Sequence, residues 1–303
     1  MPSNVVTIGK QVTLLCEGPL DAQEYHFYKE GKPHSQVPTA HEDTEKKDKI
    51  FISSIKSNDA GQYQCYFKSR AGTSEHSDTL ELVVTGFYIK PTLFALPNPI
   101  VALGGYVTLL CISHEGYNRF ILIKDKQFSS SMDSQYVYDG LSPARFEVGP
   151  ITFRERWSFR CYGYHTSKPQ VWSEGSDILE LLVSGFYYKP TLSALPIPVV
   201  TLGGSVTLSC TSKQRYDRFI LIRYKQFSSS MNSKYVYTGQ SPAMFQVGPV
   251  TLSERWSFRC YGYYSGEPHV LSKGSDILEL LVSGEQAPGL NDIEHEAGFS
   301  RRC

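Results

Sequence analysis

Several things are missing from this 303-residue chain, and each absence removes a class of function. There is no apolar run of the length that spans a bilayer, and the start, Met1-Pro2-Ser3-Asn4-Val5-Val6, has neither the basic opening nor the apolar core of a secretory signal. There is no charge excess: 30 Lys and Arg stand against 30 Asp and Glu. Nucleic acid or an anionic membrane surface as main partner would call for a clustered basic surplus. The cysteines never cluster as C-x₂₋₄-C, and the eight histidines, among them His26, His41, His114 and His165, never fall as H-x-x-x-H or H-E-x-x-H, so no metal centre is expected. Neither a G-x-S-x-G elbow nor a glycine-rich phosphate loop occurs, and the paired carboxylates Glu42 and Asp43 belong to a solvated charge run. The expectation is therefore no catalytic residues, no cofactor and no enzyme. No N-x-S/T sequon occurs either, and no helical stripe of any length.

What the chain does contain is a repeat. Arg-Trp-Ser-Phe-Arg-Cys-Tyr-Gly-Tyr at 156–164 returns unchanged at 255–263, 99 positions later. The match extends without a gap from 87–185 onto 186–284, and a diverged third copy precedes both, ending in Leu80-Glu81-Leu82-Val83-Val84-Thr85-Gly86. Domains are expected at 1–86, 87–185 and 186–284, followed by a polar tail at 285–303. Each unit has the commonest size for an autonomous domain. Six of the seven cysteines pair off at one pair per unit, Cys16 with Cys65, Cys111 with Cys161 and Cys210 with Cys260, at separations of 49, 50 and 50. Such isolated pairs read as one disulfide each, placing the chain in an oxidising, extracellular compartment. Closing a loop of this length adds about 4 kcal/mol in the loop-entropy model. Cys303 is left over.

Within each unit, short segments of period two alternate with Gly and Pro turns. Val12, Leu14 and Cys16 face one way, Thr13 and Leu15 the other; Arg119 to Lys124 holds four consecutive apolar residues suited to a buried strand. Many short strands without helices mean an all-β sandwich. Asp59-x-Gly61-x-Tyr63-x-Cys65 is the tyrosine corner of the immunoglobulin fold. The fold class expected is all-β, with three tandem immunoglobulin-like sandwiches of C2 type, each carrying one inter-sheet disulfide. Two departures stand out. The tryptophan expected against the disulfide is replaced by Phe27, Leu122 and Leu221, and the corner tyrosine becomes Phe159 and Phe258 in the later units, where Trp157 and Trp256 are placed to refill core volume.

With these departures the sequence resembles the leukocyte receptor group of the immunoglobulin superfamily, which includes leukocyte, killer-cell and paired immunoglobulin-like receptors. Phe146-Glu147-Val148-Gly149-Pro150, the nine-residue repeat, Val171-Trp172-Ser173-Glu174-x-Ser176-Asp177 and 179–185 carry the resemblance; 20–31 looks most like a paired immunoglobulin-like receptor domain. Unit one lacks the Lys-Pro opening of the others (Lys90-Pro91, Lys189-Pro190), so its first strand is expected to be truncated and a sheet edge exposed. Unit three keeps the serines of the Trp-Ser-x-x-Ser element but not its tryptophan.

The resemblance implies a ligand-binding ectodomain or soluble form of an immune-regulatory receptor. Its expected ligand is class I histocompatibility molecules (MHC class I), bound through the first two domains. Attachment to a membrane and coupling to a signalling adaptor would belong to segments outside these residues. A secreted plasma carrier or inhibitor of the alpha-1B-glycoprotein kind, or a receptor for immunoglobulin Fc, collagen or a microbial ligand, are the alternatives. In this fold the B–C and F–G loops of unit two face unit one. The ligand-contact candidates are accordingly Asn58, Tyr88, His114, Glu115, Tyr117, Ser167 and Lys168, while Phe87 is expected to pack between domains.

Overall fold

A computed structural model describes residues 4–37, 47–135, 140–223, 235–238 and 242–284. Cys303 and the tail 285–303 lie outside them, as does most of the charge run from His41 onward. Among the described residues everything regular is strand except one 3₁₀ turn, Ser57–Asp59. The described residues form two compact bodies, one within 4–99, 106–149 and 155–181, the other within 100–105, 150–154 and 182–284.

In the first body, the chain's opening repeat builds one sheet in the order Lys32–Val37, Ala22–Lys29, Gly61–Ser69, Leu80–Tyr88, with Val5–Thr7 parallel to the last. Facing it is a sheet of only two described strands, Val12–Glu17 and Lys47–Ile52. Leu14, Ile55, Tyr63, Leu82 and Val84 fill the space between. The hairpin into Lys32–Val37 turns at Glu30 and Gly31, φ 50° and 69°; the matching hairpin of the second repeat turns at Asp125 and Lys126, φ 45° and 69°. Both are the left-handed pairs that tight hairpins require.

The second repeat supplies Thr92–Leu96, Val107–Ser113 and Ser142–Val148 as one antiparallel sheet and Gln127–Asp133, Arg119–Lys124 and Ser158–Tyr164 as part of the other. The serine-rich stretch at 128–132 is thus an edge strand. In the second body the third repeat forms the same pair of sheets from Thr191–Leu195, Val206–Thr211 and Ala243–Val247, and from Tyr235–Thr238, Arg218–Arg223 and Ser257–Tyr263.

All three disulfides form as the spacing implies, with Cα separations of 6.3, 6.4 and 6.4 Å. The residues standing where the strand tryptophan was expected lie directly opposite the second cysteine: Phe27 pairs with Cys65, Leu122 with Cys161, Leu221 with Cys260, and all three are buried. The Tyr63 hydroxyl donates to the Asp59 carbonyl at 2.6 Å, which is the corner hydrogen bond. Where phenylalanine replaces that tyrosine, the neighbouring Trp157 and Trp256 are buried instead. Each is capped by a cation, Lys124 Nζ at 3.4 Å and Arg223 Cζ at 3.8 Å from the ring centroid. Glu155 and Glu254 hold those cations over the indoles.

A second set of side chains does backbone work in every repeat. Ser176 Oγ accepts the Cys161 N–H and Ser173 Oγ the Gly163 N–H, both at 3.0 Å. Ser275 and Ser272 do the same for Cys260 and Gly262, and Ser77 and Ser74 for Cys65 and Phe67. The serine pair of the Trp-Ser-x-x-Ser element, not its tryptophan, is therefore the part kept throughout. It satisfies N–H groups that an irregular segment leaves without a ladder partner.

Candidate functional site: the elbow within the first body

The junction between the first two repeats is a β-ladder. Strand Leu80–Tyr88 leaves the first sandwich through Gly86, whose φ of +91° favours glycine, and pairs in parallel with Val171–Ser173 of the second. Val84 N–H donates to Gln170 O and Glu174 N–H to Tyr88 O, both at 2.8 Å. The two sandwiches thereby share one continuous sheet, from Gln127–Asp133 through Leu80–Tyr88 to Lys32–Val37. Val5, Val83, Ile121, Ile123, Tyr162, Tyr164 and Trp172 form a buried cluster across the junction. A junction made of backbone hydrogen bonds and apolar burial holds its loops in fixed places.

On this base an open groove of about 460 Å³ is lined by Glu30, Ser57, Asn58, Ala60, Gln62 and Phe87 on one side and by 167–171 on the other. Three of the candidate residues, Asn58, Ser167 and Lys168, meet here. Asn58 and Lys168 are held through their backbones. The turn carrying Asn58 is closed by Lys56 N–H donating to Asp59 Oδ2 at 2.7 Å, and Lys29 Nζ donates to the Asn58 carbonyl. Burial, opposed by the nearby Asp59 and Glu30, lowers the Lys29 pKa. The opposite rim is fixed by Lys168 N–H to His165 O (2.9 Å) and Val171 N–H to Lys168 O (3.0 Å). Trp172 Nε1 donates to Pro169 O at 2.8 Å. Phe87 is 48 % exposed, its ring edge-on to Tyr88 at 4.8 Å. About half of the ring is thus buried and half is open surface.

His114 and Glu115 line a separate groove of about 470 Å³ with Ile89, Lys90, Thr92 and Phe94. The candidates thus divide between two concavities. Tyr88, Tyr117 and His165 form an aromatic cluster, with centroids 5.2 to 6.2 Å apart. Tyr117 has to be removed from the contact set. It is fully buried, its hydroxyl donates to Ile89 O at 2.6 Å, and burial pushes its phenol pKa up. Its place is explained by Gly163: a Cβ there would stand 2.1 Å from the Tyr117 ring. Tyr88 is half-buried, its ring tilted against that of Tyr117 at 6.2 Å.

A further face went unnoticed in the sequence. Along Ala22–Lys29, Tyr25 and Phe27 point into the core, which sends His26 and Tyr28 to the opposite face. There His26 stacks on Tyr66 at 4.7 Å, and Tyr28 and His76 both approach Tyr66, at 5.7 and 5.2 Å. Glu24 lies 3.2 Å from His26 and 3.3 Å from Lys68; Lys68 first, then His26, holds its carboxyl below the usual range. Reading the alternation of 25–28 with both faces in mind would have found it.

The second body contains the same kind of junction, built on Leu182–Tyr187 and Val270–Ser272 with Val183 N–H to His269 O at 2.9 Å. Its chemistry differs. Tyr264 stands where His165 does, and Glu267, which accepts from the Tyr187 hydroxyl at 2.8 Å, stands where Lys168 does. Among the described residues no group of His, Cys, Asp and Glu is arranged to hold a metal ion, and no helix is long and apolar enough to cross a membrane.

Paired sheets, one cysteine bridge per sandwich and β-paired elbows define the class: tandem immunoglobulin-like domains of C2 type. Comparison with known proteins narrows it. Residues 1–84 match the immunoglobulin domain family. Over 289 residues the chain is 40% identical to leukocyte immunoglobulin-like receptor subfamily B member 3A of Rattus norvegicus, an alignment covering 93% of this chain and 39% of that protein. Across nearly its whole length the chain is thus similar in sequence to a leukocyte immunoglobulin-like receptor. It spans about two-fifths of the length of that relative. Among solved structures, the human OSCAR ligand-binding domain matches at 31% identity over 64% of this chain and 100% of that one, with a TM-score of 0.32.

Proposed function

We propose that this chain is the extracellular ligand-binding part of a leukocyte immune-regulatory receptor, with domains at 1–86, 87–185 and 186–284. Its ligand is a protein, class I histocompatibility molecules first, bound at the elbow between the first two domains. The observation that carries this reading is the groove in which Asn58 of one repeat meets Ser167 and Lys168 of the next beside the half-exposed Phe87. Recognition here needs no chemistry on the ligand. An aromatic ring supplies apolar contact area, the amide, hydroxyl and ammonium supply direction, and the β-ladder beneath keeps them in register. A preorganised surface loses little conformational entropy on binding. The receptor class is supported by the similarity to that relative, and the choice of class I by the family resemblance of the sequence; fold alone does not assign a ligand.

The test is surface plasmon resonance of the disulfide-intact chain over immobilised class I complexes, with immunoglobulin Fc and collagen on parallel surfaces and Cys303→Ser to prevent artificial dimers. Saturable class I binding with silence on the other two is the expected result. Saturable binding to Fc or collagen alone, or to none of the three, would overturn the assignment.

A further inference from the structure

The chain holds two junctions of one design, and they differ beside one phenylalanine. Phe87 and Phe186, 99 residues apart, follow Gly86 and Gly185, whose φ values are +91° and +109°. Each ring stands edge-on to the next tyrosine: Phe87 to Tyr88 at 4.8 Å and 81°, Phe186 to Tyr187 at 4.9 Å and 79°. Each is about half exposed, 48 and 47 %. Posture and exposure therefore do not separate the two phenylalanines. Their neighbours do.

In the second body Phe186 carries a further ring, Phe153, at a centroid distance of 4.5 Å and a tilt of 39°. Phe153 stands eight residues ahead of Cys161, and the residue eight ahead of Cys65 is Ser57. Ser57 and Phe87 both line the elbow groove of the first body. Among the described residues Tyr88 is the one ring set against Phe87. Ser57 serves its 3₁₀ turn through the backbone, its carbonyl accepting the Ala60 N–H at 3.3 Å. A hydroxymethyl group thus stands where the other junction has a benzyl group, and the groove of about 460 Å³ opens beside Phe87 at that place.

Taking the elbow as the ligand site, we infer that this groove is a seat for an aromatic side chain of the protein ligand, which stacks on Phe87 as Phe153 stacks on Phe186. Tilted and offset ring pairs gain more than the area they bury. The rim suits a ring with a polar tip. Asn58 and Ser57 offer amide and hydroxyl groups to a phenol or an indole N–H, and Lys168 offers an ammonium to the ring face. The chain already uses that last pairing internally, with Lys124 Nζ 3.4 Å from the Trp157 centroid. Tyrosine and tryptophan are therefore the residues that fit.

The experiment uses the full, disulfide-intact chain with para-fluorophenylalanine in place of phenylalanine, read by fluorine NMR. The Phe87 and Phe186 signals are assigned by their loss in Phe87→Leu and Phe186→Leu. N-acetyltryptophanamide is titrated, with N-acetylleucinamide as apolar control. Expected is a saturable shift of the Phe87 signal with the tryptophan amide, about fivefold weaker binding of the leucine amide, and no response at Phe186. Ser57→Phe should fill the seat from within, moving the Phe87 signal without any probe and abolishing its response. Phe153→Ser should give Phe186 a response of its own. Urea unfolding midpoints establish that both variants are folded. A Phe87 signal that stays still, that moves alike with both amides, or that responds unchanged in folded Ser57→Phe would overturn the proposal. So would a folded Phe153→Ser protein whose Phe186 remains silent. Class I complexes separate this seat from the reading it rests on. A wild-type chain that responds to the tryptophan amide but does not bind class I loses the class I assignment and keeps the seat. If class I does bind, Ser57→Phe should weaken it about tenfold, and unchanged binding would overturn the seat as the ligand's.

Discussion

Gly163→Ala isolates the packing that builds the elbow. The added methyl would stand 2.1, 2.5 and 2.7 Å from Cδ2, Cγ and Cε2 of Tyr117. Carbon contacts rest at about 3.5 to 4.0 Å, so the ring has to retreat by roughly 1.5 Å. It has little room: Tyr117 is fully buried, edge-on to Phe120 at 5.8 Å, with Tyr88 and His165 at its other faces. Overpacking of this kind costs about 1–3 kcal/mol, and losing the Tyr117 to Ile89 hydrogen bond adds about 1 kcal/mol, giving roughly 2–4 kcal/mol in all. Urea unfolding followed by tryptophan fluorescence, with Trp256 replaced by Phe so that only Trp157 and Trp172 report, measures it. Adding Tyr117→Ala should make the glycine change nearly silent, a coupling of at least about 1 kcal/mol. Gly262→Ala, whose methyl would meet Tyr216 at the same 2.1 Å, should behave alike in the third repeat. A Gly163→Ala protein within about 0.5 kcal/mol of wild type would refute the reasoning.

Ser176→Ala should cost about 1–3 kcal/mol, because it strands the buried Cys161 N–H; Ser176→Thr should recover part of that in the same unfolding assay. Alkaline titration should find phenols that resist ionisation. Burial, the leading cause, raises Tyr63 and Tyr216 to about 12, above the value near 10 of an unfolded tyrosine. A raised folded pKa means their contribution is complete below about pH 10 and disappears as the pH climbs towards 12, so phenolate absorbance should rise late and together with unfolding. Native-state hydrogen exchange should show the two-stranded Val12–Glu17 and Lys47–Ile52 sheet exchanging faster than the three-stranded Thr191–Leu195, Val206–Thr211 and Ala243–Val247 sheet. Equal protection would mean that a third paired strand adds nothing to the protection of such a sheet.

The sandwiches were legible because each strand buries one face: Val12, Leu14 and Cys16 alternate with polar or exposed neighbours, and evenly spaced cysteines and Tyr63 mark the two facing sheets. The elbow was legible only as loops in proximity. Nothing in the pattern of Val171–Ser173 announces that it pairs with Leu80–Tyr88, since periodicity tells which face is buried and not which strand lies alongside. Tyr117 was misread for a related reason. Its neighbours Glu115, Gly116 and Asn118 read as a surface loop, whereas its burial depends on Gly163, remote in sequence. The recurrence of that pairing as Tyr216 and Gly262 was the available signal. The serine pair was hidden by the tryptophan beside it: Ser74 and Ser77 show that the element also exists where no tryptophan stands.

The most direct test of the elbow as a ligand site is class I binding measured before and after Lys168→Glu, with Lys213→Glu in the third repeat as control. Lys168 lines the groove and its backbone bonds do not use the side chain, so the fold should persist. Loss of at least tenfold in affinity for Lys168→Glu, with Lys213→Glu unchanged, is the result predicted. Unchanged class I binding by a folded Lys168→Glu protein would contradict it and move the contact surface away from the elbow.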